Sequence, residues 1–237
     1  MLLAAGVVAF ALPFVVCAPD IPLRRADRPA LRWTELARSC WPTGRLSHDF
    51  RWAWLTRFLL VLGNAMAVVY LLYFLRRIGF SVSYHGHTAE QGLVGLLAVY
   101  TLAVMATTVA AGRRSDRTGR RRRSVTVAGT VMAAAALLVA TRPTFPVLIV
   151  SAVVLGTGFG IYLSVDQALV TQVLPSAAER ARSLGVISVA SSAGQAVAPA
   201  IAAPVVTYFG GFTTLYLCVA AVVLLGSVSV WQVRSVP

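Results

Sequence analysis

One carboxylate sits deep inside an apolar run: Asp166, within Val147 to Leu174. In such surroundings an aspartate needs either a cationic partner or a proton, so its chemistry is ion pairing or proton relay. Two sources of positive charge are available. Arg57 lies near the start of the apolar stretch Ala53 to Leu75, and a hydrophilic block from Gly112 to Arg123 carries seven arginines around a single carboxylate, Asp116. Neutral hydrogen-bonding side chains recur in the same apolar stretches, among them Asn64, Tyr70, Tyr100, Tyr162, Gln167, Ser191 and Gln195. Their chemistry is recognition of a polar solute, or hydrogen bonding between helices. No phosphate-cradling loop, nucleophile–base pairing or metal-ligand set is present, so no enzyme activity, cofactor or metal is expected. His85-Gly-His87 lacks a third ligand at zinc spacing, and Cys17, Cys40 and Cys218 form no disulfide framework.

The elements that hold these residues are membrane spans. Hydrophobic residues make up 58% of the 237 and charged residues 12%, with a mean hydropathy of +0.77, which excludes an ordinary soluble domain. Charge-poor stretches long enough to cross a bilayer run from Ala53 to Leu75, Gly92 to Ala111, Val125 to Thr141, Val147 to Leu174, Leu184 to Tyr208 and Phe212 to Val233. A shorter apolar stretch, Leu2 to Val16, lacks the basic flank of a signal peptide and reads as a seventh, truncated span. The net charge of +13 is all arginine, and it falls in the connections rather than on one face of a fold, which argues against nucleic acid as a partner. With seven spans, seventeen arginines lie on one side and three on the other, Arg76, Arg77 and Arg142. The positive-inside rule then places the arginine-rich connections and the C-terminus in the cytoplasm.

Residues 18–52 form the one long connection. Trp33, Leu36, Ala37, Cys40 and Trp41 recur there at helical spacing beside Arg32, Arg38 and Arg45, as in a helix lying along the inner membrane surface. Asp49 is placed to cap the span that follows, with Trp52 and Trp54 as interfacial anchors. The six later spans divide into two triplets. Their first helices share an echo, Val61-Leu-Gly63 against Val154-Leu-Gly156, while crossing in opposite directions. Polar residues concentrate in four spans, the first, second, fourth and fifth of the six. These are expected to line a cavity, and the others to face lipid.

Gly112-x-x-Ser-Asp116-Arg117-x-Gly119-Arg120-Arg121 resembles the loop signature of the major facilitator superfamily. In that family the signature stands between the second and third helices and recurs, more loosely, between the eighth and ninth. The resemblance implies an all-α integral membrane fold of seven transmembrane helices: residues 1–17 as a truncated helix six, 18–52 as the central cytoplasmic loop, and 53–237 as the C-terminal six-helix bundle, a 3+3 inverted repeat. The cavity helices of that half are the four with the polar residues. It further implies a gating motif of Gly112, Asp116, Arg117, Gly119 and Arg120, with Asp166 latched by Arg117 and Arg120; Arg57 is a further candidate partner. A gate latch, a proton-coupling site and a structural ion pair all remain open for Asp166. Helices one to five are missing from this correspondence, so the expectation is a fragment or half of a proton-coupled permease for a small solute, in the plasma or inner membrane. The alternative is a half-bundle that does not transport, joined to another chain as a scaffold or remnant.

Overall fold

The computed structural model describes residues 48–79, 88–118, 121–142, 144–173 and 180–233; of 115–118, 167–173 and 180–184 only the backbone is described. The apolar stretch Leu2 to Val16, the amphipathic connection, His85, His87, Gly119 and Arg120 lie outside these residues.

The described residues are helical. α1 spans His48–Val69 and α2 Leu71–Arg77; α3 spans Ala89–Thr118, α4 Arg121–Thr141, α5 Phe145–Val173, α6 Arg180–Tyr208 and α7 Gly211–Ser229. A single 3-10 turn, Val230–Gln232, closes α7. Six helical segments are long and apolar enough to cross a membrane, α1 and α2 together counting as one. Each matches a stretch of low charge in the sequence, because apolar side chains in lipid oblige the backbone to satisfy its own hydrogen bonds.

Three ends differ from the sequence reading, each for a local reason. The first span is interrupted at Tyr70, which leaves α2 as a separate seven-residue segment. α3 begins at a capping box: Gln91 N donates to Thr88 Oγ1 at 3.3 Å and Thr88 N donates to Gln91 Oε1 at 3.0 Å. At its other end α3 continues through Thr118, so most of the arginine block is helix rather than loop, and Asp116 stands in the last turn of α3. Thirty residues at 1.5 Å each give about 45 Å, longer than a hydrocarbon core of about 30 Å. Arginine-rich turns therefore extend into water, where their charge is tolerated.

Packing follows small residues. α5 lies between α3 and α4; α7 packs on α4, α1 and α6; and α1 packs on α6. Gly156 and Gly160 form a small-xxx-small face on α5 toward α3, and a Cβ on Gly156 would come within 2.6 Å of the Tyr100 carbonyl oxygen. Gly158, between them, faces Met132 and Ala128 of α4. Close contact there substitutes for hydrophobic exclusion, which lipid does not supply. Half of the apolar window of α7 is buried, against 6% for α3, so α7 is enclosed and α3 peripheral.

Cross-links at the ends fix which termini lie together. Trp54 Nε1 donates to the Val186 carbonyl, Thr56 Oγ1 and Ser229 Oγ share a hydrogen bond at 2.8 Å, and Trp231 Nε1 donates to Thr126 Oγ1. The starts of α1, α4 and α6 and the end of α7 are thus at one end, with Arg51, Arg113, Arg114 and Arg121 to Arg123. At the other end Tyr216 Oη donates to the Ala67 carbonyl, and Phe74 packs on Phe212 with ring centres 5.1 Å apart. Arg76, Arg77 and Arg142 belong to that end.

Candidate functional site

Asp166 is 5% exposed, one turn after Tyr162 on α5, and its partner in the bundle is Arg57 of α1. Arg57 Nη1 lies 3.0 Å from Asp166 Oδ2, and Tyr162 Oη donates to Asp166 Oδ1 at 2.8 Å. Both carboxylate oxygens are therefore engaged. Arg57 Nε donates to Ser191 Oγ of α6 at 2.7 Å, so one guanidinium joins α1, α5 and α6. The local sequence explains the placement. Asp166 and Tyr162 share a face because they are four residues apart, and Arg57 lies one turn beyond Trp54, whose indole is anchored to α6. Trp54 stacks on Phe58 with ring centres 5.5 Å apart and planes 7° from parallel, which braces the α1 face that carries Arg57.

A second polar contact lies further along α1. Tyr100 Oη of α3 donates to Asn64 Oδ1 at 3.1 Å. Gln195, one of the polar side chains expected from sequence to line a cavity or bond between helices, is exposed on α6. Tyr100 also borders a small cavity of about 30 Å³, with Ser151 and Tyr216 among its lining residues. Tyr70 stands at the break between α1 and α2, its Oη directed at the Pro199 carbonyl at 3.4 Å. With Tyr73, Thr207 and Phe212 it lines an open cleft of about 450 Å³.

The structure therefore separates the residues grouped from sequence. Asp166, Tyr162 and Ser191 converge on Arg57. Asn64 and Tyr100 form a separate pair, Tyr70 lines the cleft at the other end, and Gln195 faces outward from α6. Tyr162, grouped from sequence with cavity residues, is 2% exposed and acts as the donor to Asp166. Thr107 and Thr108 bond to carbonyls of their own helix, and Thr108 also reaches the Gly160 carbonyl. Gly112 sits 3.9 Å from Ser164 by the position a Cβ would take, so ordinary contact rather than close approach holds there. The backbones of Asp116, Arg117 and Gln167 are helical, and their side chains lie outside the described residues. Two contacts had no counterpart in the sequence reading, Trp54 to Val186 and Thr56 to Ser229; the Thr-x-x-Gln start of α3 was visible as a capping pattern. Among the described residues no group of His, Cys, Asp and Glu is placed to hold a metal.

Among the described residues, six long apolar helices packed side by side, with arginines at their ends and a buried ion pair, define a polytopic helical membrane protein. The model of the Major Facilitator Superfamily matches residues 53–237, and the chain belongs to that superfamily of membrane transporters. Comparison with curated proteins gives no significant match.

Proposed function

We propose that this chain supplies the C-terminal six-helix half of a secondary transporter for a small solute, with the Arg57–Asp166 pair as a latch on its cytoplasmic side. The observation that carries the reading is a stripe on α6: Ser188, Ser192 and Gln195 recur at helical spacing and all three are exposed. Hydroxyl and amide groups facing lipid are costly, so this face fits an aqueous cavity shared with an opposing half. Asn64 and Tyr100, partly buried near the middle of their spans, are the solute-recognition residues of that cavity, with Tyr70 at its outer mouth.

The pattern of neighbours supports a 3+3 inverted repeat. Exchanging α1, α3 and α4 for α5, α6 and α7 turns α3–α5 into α6–α1 and α4–α5 into α7–α1, and leaves α4–α7 unchanged; all of these pairs pack. The Val-Leu-Gly echo is offset within it, since Gly63 packs on α7 whereas the residue of α5 that packs on α4 is Gly158 rather than Gly156. Under this reading residues 1–17 form the seventh span, the arginine-rich end and the C-terminus are cytoplasmic, and the chain is a multi-pass protein of the plasma or inner membrane. The latch joins the first helix of each triplet at the cytoplasmic end. A proton arriving at Asp166 removes its charge and releases α1 from α5, which links gate opening to proton binding. The arginine block, Gly112 to Arg123 with Asp116, Arg117, Gly119 and Arg120, stiffens the connection between α3 and α4 at the same end.

The test is thiol chemistry on the full chain in membranes, with Cys17, Cys40 and Cys218 replaced by serine. Ser192→Cys is expected to react with a membrane-impermeant, hydrophilic maleimide, while Leu102→Cys on the exposed face of α3 stays unreactive in lipid. Equal protection of both positions would refute the cavity.

A further inference from the structure

We infer that the solute recognised by Asn64 and Tyr100 is a small uncharged molecule with a short apolar tail, and that the cavity of about 30 Å³ beside Tyr100 is the side pocket that holds the tail. The inference rests on the recognition role proposed above for that pair and adds to it the charge and size of the solute.

The first ground is position. Tyr100 is both the partner of Asn64 and a wall of the cavity, so the polar pair and the pocket are continuous. Val68 follows Asn64 by one turn of α1 and Leu97 precedes Tyr100 by one turn of α3, so the pocket begins about 5 Å from the pair, on the side of α2. Val68, Leu71 and Leu97 are half-buried and form its rim, whereas Ser151, Val139 and Tyr216 are buried and form its far wall. The pocket is closed inside the bundle and is reached past the α1 and α3 residues that neighbour Asn64 and Tyr100.

The second ground is the lining. Val68, Leu71, Leu97, Val139 and Leu155 present carbon from α1 to α5, and among the described residues none that borders the pocket is charged. Three hydroxyls border it, and each has its proton committed elsewhere. Tyr100 donates to Asn64, Ser151 to the Ala135 carbonyl at 2.8 Å, and Tyr216 to the Ala67 carbonyl at 3.4 Å. An apolar occupant therefore strands no buried donor. A charged occupant would lose its hydration and meet no counter-charge.

The third ground is size. One water needs about 10–15 Å³ of such space, so about 30 Å³ holds two or three methyl-sized groups. A cavity walled by carbon stays dry and favours apolar groups over water. At the polar end, Tyr100 is the hydrogen-bond partner of the Asn64 side chain among the described residues, which leaves the Asn64 Nδ2 donors and a lone pair on Tyr100 Oη for the solute. A primary amide or a hydroxyl supplies the matching acceptor and donor without charge.

The experiment titrates the purified full chain in lipid nanodiscs with acetamide, propionamide, butyramide and hexanamide, and with butyrate as the charged analogue, by ligand-observed NMR against empty nanodiscs. Affinity is expected to rise about fourfold for each carbon added from acetamide to butyramide and no further to hexanamide. Butyrate at neutral pH is expected to bind at least about tenfold more weakly than butyramide. Ala152→Leu fills the pocket and is expected to bring acetamide and butyramide to equal affinity, while Asn64→Leu abolishes binding of both. Affinity that goes on rising through hexanamide marks an acyl-chain groove or partition into lipid and overturns the inference. Equal affinities of acetamide and butyramide for the wild type, binding of butyrate as tight as butyramide, or no binding of any amide would each overturn it as well. Should either variant fail to fold, the wild-type series decides alone. A protein whose Ser192→Cys form reacts with maleimide but which shows no tail preference keeps the transporter reading and loses the pocket; an unreactive Ser192→Cys removes the transporter reading and the inference with it.

Discussion

Removing one member of the Arg57–Asp166 pair should cost far more than removing both. Two unit charges 3.0 Å apart interact by about 5.5 kcal/mol at an effective dielectric of about 20. Most of that offsets desolvation, but losing one partner strands the other, which costs about 3–5 kcal/mol. Arg57→Met strands a carboxylate with 6% of its side chain exposed and is expected at the top of that range. Asp166→Leu strands a cation that keeps Ser191 as acceptor and has a flexible stem to carry its charge toward the arginine-rich end, so the expected loss is near the bottom. The double replacement, combined with Tyr162→Phe to avoid an orphaned hydroxyl, is expected within about 1 kcal/mol of wild type, because a well-packed apolar set substitutes for a buried pair. The assay is a mutant cycle on the full chain, unfolded with sodium dodecyl sulfate in mixed micelles and followed by tryptophan fluorescence. If the combined variant loses the sum of the single losses, or each single loss is below about 0.5 kcal/mol, the pair is not a coupled unit and the latch argument fails.

Two other outcomes test the frame around the site. Gly156→Ala puts a Cβ within 2.6 Å of the Tyr100 carbonyl, so α3 must give way; the expected cost is about 1–3 kcal/mol, while Gly95→Ala, with nothing within 4 Å, is expected to be neutral or mildly stabilising in the same unfolding assay. In a cysteine-free background, Arg113→Cys should label only from the cytoplasmic side and Arg142→Cys only from outside, read with an impermeant reagent on intact cells and inverted vesicles. Labelling of both from one side would refute the orientation.

The six described spans were legible in the sequence because a bilayer imposes one requirement, continuous apolar helix, and that requirement is written residue by residue. The side-sorting of arginines was legible for the same reason, and the structure places Arg51, Arg113, Arg114 and Arg121 to Arg123 at one end of the bundle. The helix break at Tyr70 was not, since Val69-Tyr70-Leu71 carries neither glycine nor proline. Nor was the extension of α3 to Thr118, because arginine and serine are compatible with helix and loop alike. The polar census located hydrogen-bonding side chains but not what each does: Thr107 and Thr108 turn back onto their own backbone, and Tyr162 serves Asp166.

For Asp166, sequence alone determined that a carboxylate in an apolar helix requires a partner or a proton, since that follows from the cost of burying charge whatever the fold. The family resemblance favoured Arg117 and Arg120, with Arg57 as a further candidate. Arg57 is 109 positions away along the chain, and only the packing of α1 against α5 and α6 brings its guanidinium to 3.0 Å from Asp166 and 2.7 Å from Ser191. Which helix faces meet is set by glycines and small side chains at the crossings, a property of pairs of surfaces rather than of any one stretch. The need for a counter-charge was therefore local, and its identity was decided by tertiary contact.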